Sequence, residues 1–434
     1  MHRRQLGALP TRVTRTPWLG TAPHVRRVSS STAAPRPSLR DHVSSSTRSI
    51  VRIELLTLPN ERQVRTKIQH VDATTSRPVV APFLVDSFGR QHDYLRISLT
   101  EKCNLRCTYC MPSTGVPLLP PDHLLTTPEI ERVAKLFVRH GVTKVRLTGG
   151  EPTIRRDLVD IVARVARLAA LRPRLDSIGI TSNGVTLRRQ LAALVSAGLT
   201  HLNLSLDTLD EHKYELMTRR RGFDKVMQTL DVARRLRDEG RLEVKINVVV
   251  IKGVNDMEVR DFVELTRDED LTVRFIEYMP FEDNRWSTSK LVPSSTLLST
   301  ISTQYTAPGS APALPLSIEK LVDPRSDTTR TYRVKGYRGK FGFISSMTDH
   351  FCGGCSRLRV GPDGGLKVCL FGPPALALRP LLRSLPSDDP TSDTIISNEI
   401  GKAVWGKKFA HDGLGGASGI QAKGRMGSMV GIGG

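Results

Sequence analysis

Cys103, Cys107 and Cys110 stand in the order C-x3-C-x2-C directly after an apolar run at 94–99. Three thiols so close together form a soft donor set, suited to zinc or to an iron-sulfur cluster. Structural zinc usually takes a fourth protein ligand, and no Cys or His stands beside this loop to supply one. Three thiolates on a four-iron cube leave one iron open, and an open iron can bind a substrate or cofactor. A second triplet, Cys352, Cys355 and Cys369, has the spacing C-x2-C-x13-C and again offers three thiolates. It reads as a second open cluster, with a zinc site completed by His350 as the alternative. Ser356-Arg357-Leu358-Arg359 follows Cys355. Alternate residues of an extended segment share a face, so Arg357 and Arg359 stand together beside the metal site. Guanidinium forks suit phosphate and purine edges, although such a pair also occurs as a plain solvated face.

Something must hold these loops in place. Residues 94–99 read as a short strand whose end delivers the first cysteine loop. Thr126-Thr127-Pro128-Glu129 then has the cap, proline and acid of a helix start, and Ile130, Val133, Ala134, Phe137 and Val138 form an apolar stripe that Gly141 ends. Apolar runs at 144–148, 177–181, 201–206, 243–251 and 271–278 alternate with helical stretches near 155–169, 186–198, 222–238 and 256–267. This alternation is that of a parallel α/β fold with six strands. In barrels built this way chemistry gathers at the C-terminal ends of strands. Thr148-Gly149-Gly150-Glu151-Pro152, Ser205-Leu206-Asp207 and Met279 all fall there. The two glycines suggest close approach of a ligand to a free backbone edge, or else an ordinary strand-to-helix turn. Residues 306–316 are a Pro-rich insertion, and 332–344 reads as short strands around glycines.

The chain has 434 residues, ample for a barrel with an extension. Its six cysteines fall into two groups of three, which argues against a disulfide framework and for a reducing compartment. No run of eighteen apolar residues occurs, so no membrane span is expected. The net charge of +21 suggests nucleic acid until it is mapped: residues 1–80 hold fourteen Lys and Arg against four Asp and Glu. The first 40 residues contain eight Arg, no Lys and no acid, the composition of a mitochondrial transit peptide. A basic arm for nucleic acid is the other reading of that stretch.

The first loop, with Tyr109 just before its third cysteine, resembles the signature of radical S-adenosylmethionine (SAM) enzymes, and Gly149-Gly150-Glu151-Pro152 is similar to their GGEP motif. Adding Phe88-Gly89-Arg90, Leu95-Arg96-Ile97-Ser98, Met111-Pro112, Arg274-Phe275-Ile276-Glu277, the Arg-x-Arg of the second triplet and the final Ile432-Gly433-Gly434, residues 86–434 resemble the radical SAM GTP 3',8-cyclase family, that of molybdenum cofactor biosynthesis protein A. The resemblance implies an open, partial (β/α)6 TIM-like barrel at 86–280, a C-terminal α+β extension at 281–434 with a second 4Fe-4S cluster, and a mitochondrial leader at 1–85, hence a matrix protein. It implies SAM contacts at Tyr109, Gly150, Ser205 and Met279. The GTP contacts it implies are Arg96, Arg146, Thr181, Lys245, Arg357, Leu358 and Arg359. Arg357, Arg359 and the tail glycines Gly433 and Gly434 would serve the cyclisation itself.

The reaction implied is a lyase step that turns GTP into (8S)-3',8-cyclo-7,8-dihydroguanosine 5'-triphosphate. The reduced first cluster cleaves SAM to a 5'-deoxyadenosyl radical, which takes the ribose 3' hydrogen; C3' then joins C8, and one more electron, from the second cluster that ligates the base, completes the product. An electron donor and cyclic pyranopterin monophosphate synthase, acting downstream, are the implied partners, with neither nucleic acid nor membrane; a homodimer is one option for the assembly. Two other readings stand beside this one: a peptide-modifying radical SAM maturase, whose auxiliary region would hold more cysteines, and a zinc-containing nucleic-acid-binding protein. The stretches 281–330 and 372–400 match weakly and carry no assignment.

Overall fold

A computed structural model describes residues 80–434 apart from 171–174, 282–283, 285, 304–316, 325, 424–428 and 433–434. The arginine-rich leader up to residue 79, the Pro-rich insertion at 306–316 and the Gly433-Gly434 tail lie outside the described residues.

The barrel strands are β1 (Tyr94–Ser98), β2 (Lys144–Thr148), β3 (Ser177–Ser182), β4 (His201–Ser205), β5 (Glu243–Val250) and β6 (Thr272–Glu277). Each alternates polar with apolar: Tyr-Leu-Arg-Ile-Ser, Lys-Val-Arg-Leu-Thr, His-Leu-Asn-Leu-Ser. Successive side chains point to opposite faces, so one face of the sheet is apolar and the other polar. Leu95, Ile97, Val145, Leu147, Leu202, Leu204, Val244 and Ile246 are fully buried in the main core. The helices α1 (Thr127–Arg139), α2 (Leu158–Arg167), α3 (Leu191–Ser196), α4 (Glu211–Thr218), α5 (Phe223–Asp238) and α6 (Val259–Glu264) lie between successive strands, α4 and α5 both following β4, and most add apolar residues to that core. In α1 the expected cap is complete: the Thr126 hydroxyl accepts from Glu129 N, and the Glu129 carboxylate accepts from Thr126 N at 2.7 Å. The polar strand face is left to line the interior.

The extension is not a separate layer. After α7 (Ser294–Thr303) come β7 (Ile318–Lys320), β8 (Arg330–Val334), β9 (Lys340–Ile344), β10 (Arg357–Val360), β11 (Gly365–Lys367) and β12 (Leu376–Ala377), then α8 (Leu378–Ser384), α9 (Pro390–Trp405), α10 (Ala417–Lys423) and α11 (Met429–Ile432). One sheet of twelve strands runs β12-β11-β10-β1-β2-β3-β4-β5-β6-β9-β8-β7. β10 pairs in parallel with β1, and β9 in parallel with β6. The six strands expected from the pattern are therefore flanked by two more of the same direction. Unpaired sheet edges are a liability, and both outer edges of the six-stranded run are covered by returning chain. β9 and β10 are short and set among glycines, which is why the sequence pattern assigns them to an extension.

The described residues begin at Val80, inside the stretch expected as leader. Val80 and Leu84 are buried in the main core, and Phe83 packs on α9, where a Cβ at Gly401 would sit 3.0 Å from the Phe83 Cβ. The apolar stretch 80–85 is thus part of the fold, not of the leader. Arg90 fastens it down: Nε donates to Asp86 at 2.6 Å, Nη1 to the carbonyls of Cys352 and Phe409, and Nη2 to that of Lys408. The Phe88-Gly89-Arg90 motif is a clasp that holds the second cysteine loop.

Candidate active site

The topology puts the two thiol triplets at opposite mouths of the barrel. Cys103 follows the C-terminal end of β1, whereas Cys355 lies two residues before β10, which runs parallel to β1 with Tyr94 beside Arg357. β11 returns antiparallel to β10, so Cys369, two residues beyond it, comes back beside Cys352 and Cys355. The five residues of β1 separate the two levels by roughly 13 Å of strand rise.

The first loop is held on two sides. Beyond the β1–β2 ladder, Leu99 N donates to Thr148 O, Gly150 N to Thr100 O at 2.6 Å and Glu151 N to Lys102 O at 2.8 Å. Opposite, Arg106 N and Thr108 N donate to the carbonyls of Thr218 and Met217 at the end of α4. These bonds revise the reading of the glycine pair. A Cβ at Gly150 would lie 2.3 Å from Lys102 O, and one at Gly149 2.5 Å from Thr100 O. The glycines let the chain that enters the cysteine loop pack against them, and the Gly150 N–H is already used. What the pair can still offer a ligand's ammonium is carbonyl oxygen. Glu151 is fully buried and accepts from Thr153 N at 3.1 Å, Ser182 Oγ at 2.8 Å and Asn183 N at 2.8 Å. Asn183 in turn donates to Asn104 at 2.7 Å and approaches Cys103 Sγ at 3.8 Å, so the motif's acid orients the loop.

Burial pushes the Cys103, Cys107 and Cys110 thiols up, and mutual repulsion of the neighbouring thiolates adds to this for Cys107 and Cys110. Bound iron would reverse that balance, since cluster ligation is by thiolate. Beside Cys107 a small cavity of about 30 Å³ is lined by Leu105, Tyr109, Ser205, Asp207 and Met217, among others. Tyr109 is buried and donates its hydroxyl to Asp207 Oδ2 at 2.5 Å, while Asp207 Oδ1 accepts from Val249 N at 2.8 Å. Burial lifts Asp207 to about 6 against both hydrogen bonds. Tyr109 and Ser205 thus share one cavity and Gly150 abuts the cysteine loop, but Met279 packs elsewhere, against the cluster of Phe281, Phe371 and Ile420. Asn284 spans the two regions, donating to the carbonyls of Tyr109 at 3.1 Å and Met279 at 2.8 Å.

Between the mouths the inward face is cationic. Register sets Arg359, Arg96 and Arg146 side by side on β10, β1 and β2, and Asn203 and Lys245 beside Thr181 on β4, β5 and β3. Arg146 lies across β3 at Gly179, where a Cβ would come within 2.9 Å of its Cζ. Tyr94 gathers the group: its hydroxyl accepts from Arg146 Nε, and the guanidinium groups of Arg146 and Arg357 lie 5.9 and 5.3 Å from its ring centre. Burial raises the Tyr94 phenol, but Arg146, Arg96 and Arg357 outweigh this and bring it to about 7. Burial, reinforced by Arg359, Arg146 and Arg357, pulls Arg96 down to about 9.

Several polar atoms of this face are buried with no partner among the described residues: Arg146 Nη1, Thr181 Oγ1, Asn203 Oδ1, Arg357 Nη1 and Arg359 Nε. Such atoms are rare in a native interior and costly, so a cluster of them facing crowded cations marks the seat of an anionic, hydrogen-bonding ligand. Two expected contacts differ in detail. Leu358 is fully buried on the core side of β10, so only its main chain can meet a ligand. Lys245 is paired with Glu243 at 2.7 Å, and Glu243 is held low by His201 and Lys245. Arg274, named in the sequence only as part of a family motif and given no ligand role, faces inward on β6 and donates twice to Asn247 Oδ1 at 3.0 and 2.6 Å. Its signal was the strand alternation itself.

At the second mouth burial would raise the Cys355 thiol, but Lys407, Arg357 and Arg359 overcome it and hold it at about 7; Cys352 is raised by burial. The donor set, three free thiols beside buried cations, suits an anionic iron-sulfur cluster. Among the described residues no three Cys, His, Asp or Glu side chains are gathered as a single ion would need, at either mouth. A cube, with one thiolate on each of three irons, spreads its ligands more widely than a lone ion does.

Comparison with known proteins finds the Radical SAM superfamily over residues 97–266 and Molybdenum Cofactor Synthesis C over 271–413. The chain is 46% identical over 344 residues to the mitochondrial GTP 3',8-cyclase of Arabidopsis thaliana, covering 79% of this chain and 82% of that protein. It is 39% identical over 302 residues to GTP 3',8-cyclase of Listeria welshimeri, covering 69% and 85%. Over 332 residues it is 49% identical to Molybdenum cofactor biosynthesis protein 1 of Homo sapiens, covering 76% of this chain and 49% of the relative. The chain spans about half the length of the mammalian relatives it matches.

Proposed function

The chain belongs to the radical SAM GTP 3',8-cyclase family, and from that membership we propose that it converts GTP to (8S)-3',8-cyclo-7,8-dihydroguanosine 5'-triphosphate, the first step of molybdenum cofactor biosynthesis. The family carries SAM and a 4Fe-4S cluster, here on Cys103, Cys107 and Cys110; a second 4Fe-4S cluster on Cys352, Cys355 and Cys369 is part of the proposal. The observation that carries the reading is the arginine-lined interior, with its partnerless buried donors, set between the two thiol triplets. When bound, the reduced first cluster and SAM supply hydrogen-abstracting radical chemistry, so the protein's task is to bind, orient and exclude water.

Tyr109 and Ser205 line the SAM side of that space, Gly150 offers its carbonyl to the SAM ammonium, and Met279 borders it through Asn284. Arg96, Arg146, Thr181, Lys245 and Arg274 take the triphosphate and sugar, while Arg357, Arg359 and the Leu358 main chain hold the nucleotide beside the second cluster. The Gly433-Gly434 ending is proposed to enter the same space, since glycine backbone threads where side chains would clash. The leader is read as a mitochondrial transit peptide, in keeping with the mitochondrial name of the plant relative. Cyclic pyranopterin monophosphate synthase is the proposed downstream partner, alongside an electron donor.

Anaerobic incubation with GTP, SAM and reductant is expected to give methionine, 5'-deoxyadenosine and a triphosphate of GTP's own mass that separates from GTP on chromatography. Cleavage of SAM with GTP recovered unchanged would favour the peptide-maturase reading. Protein holding zinc without iron or sulfide would favour the nucleic-acid reading.

A further inference from the structure

Lys407, just past α9, is 3% exposed. Its Nζ lies 2.8 Å from His92 Nε2, 3.6 Å from Cys355 Sγ and 3.5 Å from Arg357 O. The second nitrogen of His92, Nδ1, is 2.9 Å from Leu84 O. A carbonyl can only accept, so Nδ1 carries the imidazole proton and Nε2 faces Lys407 as an acceptor. All three groups around the ammonium therefore accept, which is the environment of a charged lysine with its three donors used.

No carboxylate of the described residues touches it directly. Asp86 is committed to Arg90 at 2.6 Å, and among the described residues no carboxylate forms an ion pair with Lys407. A buried ammonium without an anion is costly, and a lysine is kept in such a place only where something repays it. The anion available is the thiolate of Cys355.

We infer that Lys407, oriented by His92, is a positioning residue that places a fixed positive charge against the Cys355 ligand of the second cluster and raises that cluster's reduction potential. The inference rests on the two-cluster reading proposed above. Hydrogen bonds and charge near the sulfurs are established levers on such potentials, because they stabilise the added electron. The turn after α9 and the segment 80–92 thereby acquire a function beyond packing: they carry the two residues that set this charge.

The test uses the full chain carrying Cys107→Ser, so that the second cluster is read alone, and compares it with the same chain bearing Lys407→Gln or Lys407→Arg. Each is reconstituted anaerobically and titrated by electron paramagnetic resonance at controlled potential. At the midpoint of the parent, Lys407→Gln is expected to lower the reduced-to-oxidised ratio about tenfold, which is 59 mV for a one-electron couple. Lys407→Arg should stay near the parent. An unchanged ratio in Lys407→Gln, or an equal fall in both variants, would overturn the inference. So would loss of the cluster from both, since shape rather than charge would then be what the site requires, whereas loss from Lys407→Gln alone supports it. A parent chain with no cluster signal would instead sink the two-cluster reading itself.

Discussion

Cys107→Ser is expected to reduce SAM cleavage to background, whereas Cys355→Ser is expected to leave SAM cleavage running with no cyclised nucleotide. The difference follows from position. Cys107 lines the cavity shared by Tyr109, Ser205 and Asp207 at the C-terminal mouth, and a serine hydroxyl is a poor substitute for a thiolate on iron. Cys355 lies at the other end of the strands, beside Arg357, Arg359 and Lys407, with the whole inward face between it and that cavity. Iron content should fall in both from about eight to about four per chain, as expected for two four-iron clusters of which one is lost. SAM cleavage lost equally in both variants, with both clusters gone, would mean that the two mouths do not act separately.

The second large effect is expected from Arg357→Ala with Arg359→Ala. Charge-assisted hydrogen bonds contribute about 1.5 to 3 kcal/mol each, so one such loss weakens GTP binding by about tenfold to a hundredfold. The two residues are neighbours on one strand face and need not add, which gives about a hundredfold or more for the pair in kcat/KM with GTP. Stability should move the other way or stay put. Arg96, Arg146, Arg357 and Arg359 repel one another in the absence of an anion, and removing two relieves that repulsion. A thermal midpoint unchanged or raised, with iron retained and GTP turnover lost, is the expected pattern. Unchanged turnover would return the pair to the role of a solvated face.

What the sequence made legible was local. The alternation in Tyr94-Leu95-Arg96-Ile97-Ser98 and its fellow strands is short-range information, and Arg96, Arg146, Thr181 and Lys245, which the family resemblance implied as GTP contacts, fall on its polar face. The Thr126 and Glu129 cap was legible for the same reason. What stayed hidden depends on partners far along the chain. β10 pairs with β1 across more than two hundred residues, so neither the parallel pairing nor the placing of Cys355 at the opposite mouth from Cys103 can be read from spacing. The glycine pair at 149–150 looked like a ligand edge because its true neighbour, the backbone of residues 100–102, is set by the β1–β2 ladder. Lys407 and His92 gave no signal at all: a lysine after a helix and a histidine before a strand are ordinary until the fold buries them together. Residues 80–85 were passed over because their partner, α9, lies near the other end of the chain.

The central claim is that GTP sits in the cationic interior with its ribose C3' toward the SAM-binding mouth. GTP carrying deuterium at ribose C3' tests it most directly. With SAM and reductant under anaerobic conditions, the account predicts one deuterium in the 5'-deoxyadenosine formed and none left at C3' of the nucleotide product. Deuterium-free 5'-deoxyadenosine, with the label still on the nucleotide, would contradict it.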